Sequence, residues 1–173
     1  MIYPVAFEAT WRLVLPSVLF LRALAALLAL PGTFAGIIPA LVVSADRWRG
    51  DGRAVGMAPL VAGIIVLLWC VRDFYVAGKG TLAPWDPPKH LVIVGLYRFV
   101  RNPMYVGLLL LLIGWALLAG SPLLGGYALF FAIAFHLRVV LYEEPRLRSQ
   151  FPQAWAEYAA TVPRWFPRLR GKN

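Results

Sequence analysis

"PMYVGLLLLLIGWALLAGSPLLGGYALFFAIAFHLRVVL", residues 103–141, holds no Asp, Glu, Lys or Arg before Arg138. Gly120-Ser121-Pro122 breaks it into two apolar arms. At about 1.5 Å per residue, each arm approaches the roughly 30 Å thickness of a bilayer's hydrocarbon core. Pro103 sits where a first helical turn accepts it, because the missing N–H would have no intrahelical partner there. The stretch reads as a membrane-spanning helical hairpin, and the rest of the fold follows from it.

Outward from the hairpin the chain keeps the same character. Of its 173 residues, 61% are apolar and the mean hydropathy is +0.71, well above the roughly 45–50% apolar share of a soluble domain. The expected architecture is all-α: a single-domain polytopic membrane helix bundle of four to five transmembrane helices over residues 1–173. Residues 1–56 form a variable N-terminal part, 57–141 the core spans and the loop between them, and 142–173 a polar tail. Leu13–Val43 is too long for one straight span and short for two. It reads as one kinked span or a tight pair of short helices, with "GTFAG" (32–36) as a helix-packing device. A further span runs from Met57 to Val76, and Arg72-Asp73 at its end reads as a snorkelling pair. Glycines and prolines make 78–102 a loop. In the tail, Pro152 opens a short amphipathic helix whose stripe is Trp155, Tyr158, Ala159 and Val162. Pro163 stops it, and Trp165 and Phe166 add interfacial anchors.

Seventeen Lys and Arg against eight Asp and Glu give a net charge of +9. These cations flank apolar segments rather than forming a run, which excludes a nucleic-acid surface and suits orientation and anionic lipid. The loop carries Lys79, Lys89, Arg98 and Arg101, and the tail carries five arginines. Both are separated by an even number of spans, so the positive-inside rule places them together on the cytoplasmic side. Cys70 is expected to be a buried, inert thiol. The N-terminus, with Glu8 and no early basic cluster, does not read as a cleaved signal peptide.

Glu143 and Glu144 close the last span, with His136 and Arg138 upstream on the same helix. Carboxylates so near hydrocarbon are costly and kept for a partner. That partner is either an arginine (Arg98, Arg101 or Arg146) or a cationic ligand. Tyr97, Asn102 and Tyr105 bring hydrogen-bonding groups to the same mouth, and the helix start at Pro103 turns free N–H groups toward it. Such a cup suits a polar, zwitterionic cofactor and a lipid-soluble acceptor. His90, His136 and Cys70 make no metal set of recognisable spacing, and no nucleophile elbow, P-loop or dinucleotide fingerprint occurs.

"KHLVIVGLYRFVRNPMYVG" (89–107), the hairpin and "YEEPRLRSQFPQAWAEYAATVPRWFP" (142–167) together resemble the isoprenylcysteine carboxyl methyltransferase and phospholipid methyltransferase group of membrane enzymes. The resemblance covers about residues 78–167. It implies S-adenosyl-L-methionine as cofactor, bound without a Rossmann fold between the last spans and the tail. By position it implies that Lys89, His90, Leu91, Val92, Tyr97, Asn102, Pro103, Met104, Tyr105 and Glu143 line the cofactor site. Arg138 and Glu144 would be catalytic, with Arg138 also meeting the acceptor. Relatives often carry histidine where Asn102 stands; an amide cannot titrate, which argues against a base there. The implied reaction is methyl transfer to a lipophilic acceptor from the bilayer, a prenylcysteine-type carboxylate slightly ahead of a phospholipid amine or a small hydrophobic thiol. A small membrane scaffold or transporter subunit is the non-enzyme alternative. No metal is expected.

Overall fold

The computed structural model describes residues 28–73, 91 and 93–167, together with Ala25. Lys89, His90, Val92 and most of the 78–92 loop lie outside the described residues, as does the start of the predicted first span. Among the described residues the chain is helical throughout, with no strand.

Helix α1 begins with wide π turns over Leu28–Ile37 and continues as α-helix over Ile38–Ala45. Over its described part, the predicted first span is therefore one continuous helix. Pro31 lies inside the π turns and Pro39 just beyond them. In α spacing the N–H of residue 39 would serve the Ala35 carbonyl, and in π spacing that of Phe34; proline supplies neither. Both carbonyls find donors elsewhere. Trp115 Nε1 donates to Ala35 O at 3.0 Å and the Tyr127 hydroxyl to Phe34 O at 3.1 Å.

A 3₁₀ turn, Ala54–Gly56, leads into α2, Met57–Asp73. A second one, Gly95–Arg98, precedes α3, Pro103–Ala119. The hairpin partner α4, Pro122–Arg138, starts on Ser121, whose hydroxyl accepts from Leu124 N at 3.2 Å, a side-chain N-cap. It runs through π turns at Val139–Glu143 into α5, Glu144–Gln150. The tail helix α6 is Pro152–Thr161, as the proline pair predicts.

Two uninterrupted helical stretches are long and apolar enough to cross a membrane: Ala54–Asp73, 20 residues, and Pro122–Gln150, 29 residues. Pro31–Ala45 and Pro103–Ala119 are apolar but shorter. Of the four to five spans expected, two thus meet the length criterion among the described residues. Their outer faces are apolar, Val61, Ile65 and Leu68 on α2 and Leu129, Phe130 and Ile133 on α4; such faces suit hydrocarbon, not water.

In that setting helix association rests on close packing rather than on a hydrophobic drive. The α2–α3 seam shows how. A Cβ built on Gly63 would lie 2.7 Å from Gly107 O, and one on Gly56 would lie 2.8 Å from Gly114 O. Two glycines seven residues apart on each antiparallel helix let the backbones touch. The "GTFAG" motif does not work this way, since Gly36 faces open space while Ala35 is the buried member. At the far end of the bundle the Ser121 hydroxyl donates to Asp46, and Gly50 N reaches Gly120 O at 2.9 Å, tying the 46–53 loop to the hairpin turn.

Candidate functional site

The ends of α2 and α4, the start of α3 and the tail converge at one end of the bundle. Its centre is a three-way contact. The Tyr105 hydroxyl donates to Glu143 Oε1, and Arg138 Nε donates to the same oxygen at 2.8 Å and to the Tyr105 hydroxyl oxygen at 3.1 Å. Arg138 and Glu143 are five residues apart. In a regular α-helix they would stand about 140° apart at 3.6 residues per turn; the π turns between them bring both onto the face of α4 that looks at α3. The Tyr105 ring is fixed by stacking on Phe135, centroids 4.5 Å apart.

Glu144, one residue on, faces the tail instead. Arg164 grips it with two hydrogen bonds, Nε to Oε1 at 2.7 Å and Nη2 to Oε2 at 2.8 Å, and Arg101 Nη1 stands 3.3 Å from Oε1. Arg101 also lies over the Trp155 ring, 5.4 Å from its centroid. The backbone continues this docking: Arg101 N donates to Pro163 O at 2.9 Å and Asn102 Nδ2 to Arg164 O at 3.2 Å. Both acidic residues meet arginines, Arg138 at Glu143, and Arg101 with Arg164 at Glu144.

The tail helix lies on the protein. Trp155, Tyr158 and Val162 are buried together against Leu91 and Leu147. The Tyr158 hydroxyl donates to the Tyr97 carbonyl at 2.7 Å. Burial pushes that hydroxyl above its ordinary range, with the nearby Arg101 opposing, so it stays a donor at any physiological pH. Trp165 Nε1 reaches His136 Nδ1 at 3.3 Å, whereas Phe166 is left exposed.

Tyr97 is buried and packs against Cys70. Met104 packs against both this pair and the Tyr105 cluster. Pro103 is buried at the helix start. The structure therefore brings Tyr105, Arg138 and Glu143 into direct contact, sets Tyr97 and Met104 behind them, and gives the Asn102 amide to the tail. Leu91 is part of the tail's apolar seat rather than of the polar cup. Of the arginines expected as partners, Arg101 is found at Glu144, whereas Arg146 bonds the Tyr142 hydroxyl; Arg164, Arg138 as the partner of Glu143, and Trp155 were not predicted in these contacts. The only sequence signal for Arg164 was excess positive charge, and a partner for that charge appears only on folding.

A cavity of about 550 Å³ opens between the end of α4 and the tail, lined by Val140, Glu144, Pro145, Arg148, Ser149 and Trp155. Residues 52–154 match the phospholipid methyltransferase family. The chain belongs to that family. Two curated relatives are each 30% identical to it over 139 residues, 77% of this chain. One is the cobalt-zinc-cadmium resistance protein CzcN of Cupriavidus metallidurans, the other the nickel-cobalt-cadmium resistance protein NccN of Alcaligenes xylosoxydans xylosoxydans. The chain spans about 60% of their length, 59% and 60% respectively. No solved structure matches it.

Phospholipid methyltransferases are membrane enzymes whose methyl donor is S-adenosylmethionine. The donor set here is compatible with that molecule. Glu143 is a carboxylate for an ammonium or ribose hydroxyls and Tyr105 a hydroxyl beside it; the cavity, of a size usual for small-molecule sites, is lined by Glu144 but not by these two.

Proposed function

We propose that this chain is an S-adenosylmethionine-dependent methyltransferase acting on a lipophilic acceptor drawn from the bilayer. The observation that carries the reading is the Arg138–Tyr105–Glu143 contact. A carboxylate and a guanidinium are held on one helix face, at the boundary between an apolar bundle and a polar tail. Each is the natural partner for one substrate, Glu143 for the cationic donor and Arg138 for an anionic group of the acceptor.

The cofactor supplies an electrophilic methyl group on a sulfonium. Glu143 binds its ammonium or ribose hydroxyls, and Tyr97, Met104 and Tyr105 form the wall behind. Arg138, half exposed, turns from Glu143 toward a carboxylate or phosphate of the acceptor. No residue needs to act as a base if the acceptor is a carboxylate, a thiolate or a neutral amine, which accords with the non-titrating Asn102. The chain's contribution is alignment, which in the best intramolecular cases is worth roughly 7–11 kcal/mol. Glu144 acts through the tail, holding it over the site. The flanking basic residues, Arg146 and Arg148 among them, would meet anionic lipid, and the positive-inside rule puts this end in the cytoplasm.

An acceptor carrying a prenylcysteine-type carboxylate fits Arg138 directly. The family match favours a phospholipid amine, whose adjacent phosphate would meet the same guanidinium. The resistance functions in the relatives' names specify no acceptor, and among the described residues no group of three or more His, Cys, Asp or Glu comes together.

Calorimetric titration of S-adenosylmethionine into the detergent-solubilised protein tests the reading. Glu143→Gln should weaken binding by about ten- to a hundredfold, the value of a charge-assisted hydrogen bond. A folded Glu143→Gln protein with unchanged affinity would remove Glu143 from the site. Transfer of labelled methyl to prenylcysteine, phospholipid or thiol acceptors then identifies the second substrate.

A further inference from the structure

The site above uses Arg138 and Glu143 but not Tyr142, which stands between Arg138 and Arg146 at the end of the long helix formed by α4 and α5. Arg146 Nη1 donates to the Tyr142 hydroxyl at 2.9 Å. Both guanidiniums also lie against the tyrosine ring, that of Arg138 5.6 Å from its centroid and that of Arg146 5.9 Å. Two cations thus share one ring. Among the described residues Arg138 is paired with Glu143, whereas no carboxylate pairs with Arg146. Tyr142 and Arg146 are exposed, and so is nearly half of the Arg138 side chain.

The height of this cluster follows from the helix that carries it, which is continuous from Pro122 to Gln150. From Pro122, at the polar hairpin turn, to Tyr142 it rises about 30 Å at 1.5 Å per residue, the thickness of the hydrocarbon core. Arg146 stands about 6 Å further out, and the headgroup layer occupies roughly 5–8 Å on each side. Tyr142 therefore marks the edge of the hydrocarbon, and Arg146 lies level with the lipid phosphates. Leu137 and Leu141, chain neighbours of Arg138 and Tyr142, are exposed on the hydrocarbon side. Arg148, two residues on and about 200° around the helix, lines the cavity beside the tail instead. A general attraction of basic residues for anionic lipid would treat the two arginines alike; this geometry does not.

We infer that Tyr142 and Arg146, flanked by Arg138, bind the phosphate of one bilayer phospholipid, whose acyl chains run along Leu141 and Leu137. The Tyr142 hydroxyl accepts from Arg146 and keeps its own proton to donate, and Arg146 keeps further N–H groups beyond the one it spends on the tyrosine. A phosphate oxygen accepts from both, through bonds strengthened by charge. The site stands on these contacts and on the helix's length, whatever the reaction.

Native mass spectrometry of the detergent-purified protein, titrated with dioleoylphosphatidylglycerol, tests the inference. Dioleoylglycerol has the same chains without the phosphate, and inorganic phosphate supplies the anion without the chains. Wild type should retain one phosphatidylglycerol per chain. Arg146→Gln should weaken that binding by roughly ten- to a hundredfold, and Tyr142→Phe, which keeps the ring, by about fivefold. Arg148→Gln should weaken it far less than Arg146→Gln. All three side chains are exposed or half-exposed, so the variants should fold, and a melting curve checks that they do. Equal loss in Arg146→Gln and Arg148→Gln would mean attraction to the basic end at large and overturn the site. Unchanged affinity in Arg146→Gln, dioleoylglycerol bound as tightly as phosphatidylglycerol, displacement of the lipid by an equal concentration of inorganic phosphate, or no lipid retained by wild type would each overturn it too. The cofactor titration with Glu143→Gln tests the proposed function separately.

Discussion

Tyr105 shows how much one side chain can hold. Its ring is locked against Phe135 and its hydroxyl touches both Glu143 and Arg138. Tyr105→Phe keeps the stacking and drops the hydroxyl, so the expected loss is about 1 kcal/mol of stability. For a chain of this size that lowers the thermal midpoint by roughly 2–4 °C. An unmoved midpoint would mean that the hydroxyl does not bind the two helices together. Glu143, Tyr105 and Arg138 were all legible as site candidates, because charged and phenolic groups beside hydrocarbon need a reason to be there. Their contact with one another was not. Asp73 was misread for a related reason. Adjacent Arg and Asp look alike from the sequence, and only the burial of one and the exposure of the other separates them.

At the scale of the element, two helices depart from α geometry, and each departure has a compensating partner. In α1, Pro39 supplies no backbone donor to the turn before it, and Trp115 and Tyr127 from α3 and α4 donate to the Ala35 and Phe34 carbonyls there. Trp115→Phe should leave the Ala35 carbonyl unpaired and cost about 1–2 kcal/mol, read as a lower midpoint in detergent. The proline was visible in the sequence, but the choice between a kinked helix and two short ones was not, since it depends on donors more than 75 residues away. The π turns of Val139–Glu143 carry no local signature at all. A single extra residue in a turn is tolerated when tertiary contacts repay it, and here the Arg138–Glu143 pair is that contact. The α2–α3 seam gives a sharper expectation. Gly63→Val would drive a side chain into the backbone of α3, where even a Cβ lies 2.8 Å from Leu111 N. Overpacking of this kind costs about 1–3 kcal/mol or prevents assembly, seen as a lost or broadened melting transition. A variant that melts like wild type would refute the close approach.

At the scale of the whole molecule, Glu144 is the charged link between the bundle and the tail, beside the apolar seat of Trp155, Tyr158 and Val162. Arg164 and Arg101 both reach its Oε1, and beside them Arg101 N donates to Pro163 O and the Asn102 side chain to Arg164 O. Arg164→Ala removes two charge-assisted bonds from a partly exposed pair, an expected loss of about 1–3 kcal/mol. The loss should appear as faster proteolysis after residue 150 rather than as unfolding of the bundle. Equal protease resistance in wild type and variant would show that the apolar seat of Trp155, Tyr158 and Val162 holds the tail alone. The sequence by itself determined the apolar hairpin, the helix starts at Pro103 and Pro152, the amphipathic tail and the polar character of one end. These follow from composition and spacing, which act within a few residues. The tertiary structure alone decided which arginine meets which carboxylate, that α1 is continuous, that glycines on α2 and α3 let their backbones touch, and that Asp73 points inward. Each of those depends on groups distant in the chain becoming neighbours, and in a low-dielectric interior a charge or an orphaned carbonyl is settled by whichever partner the fold brings within reach.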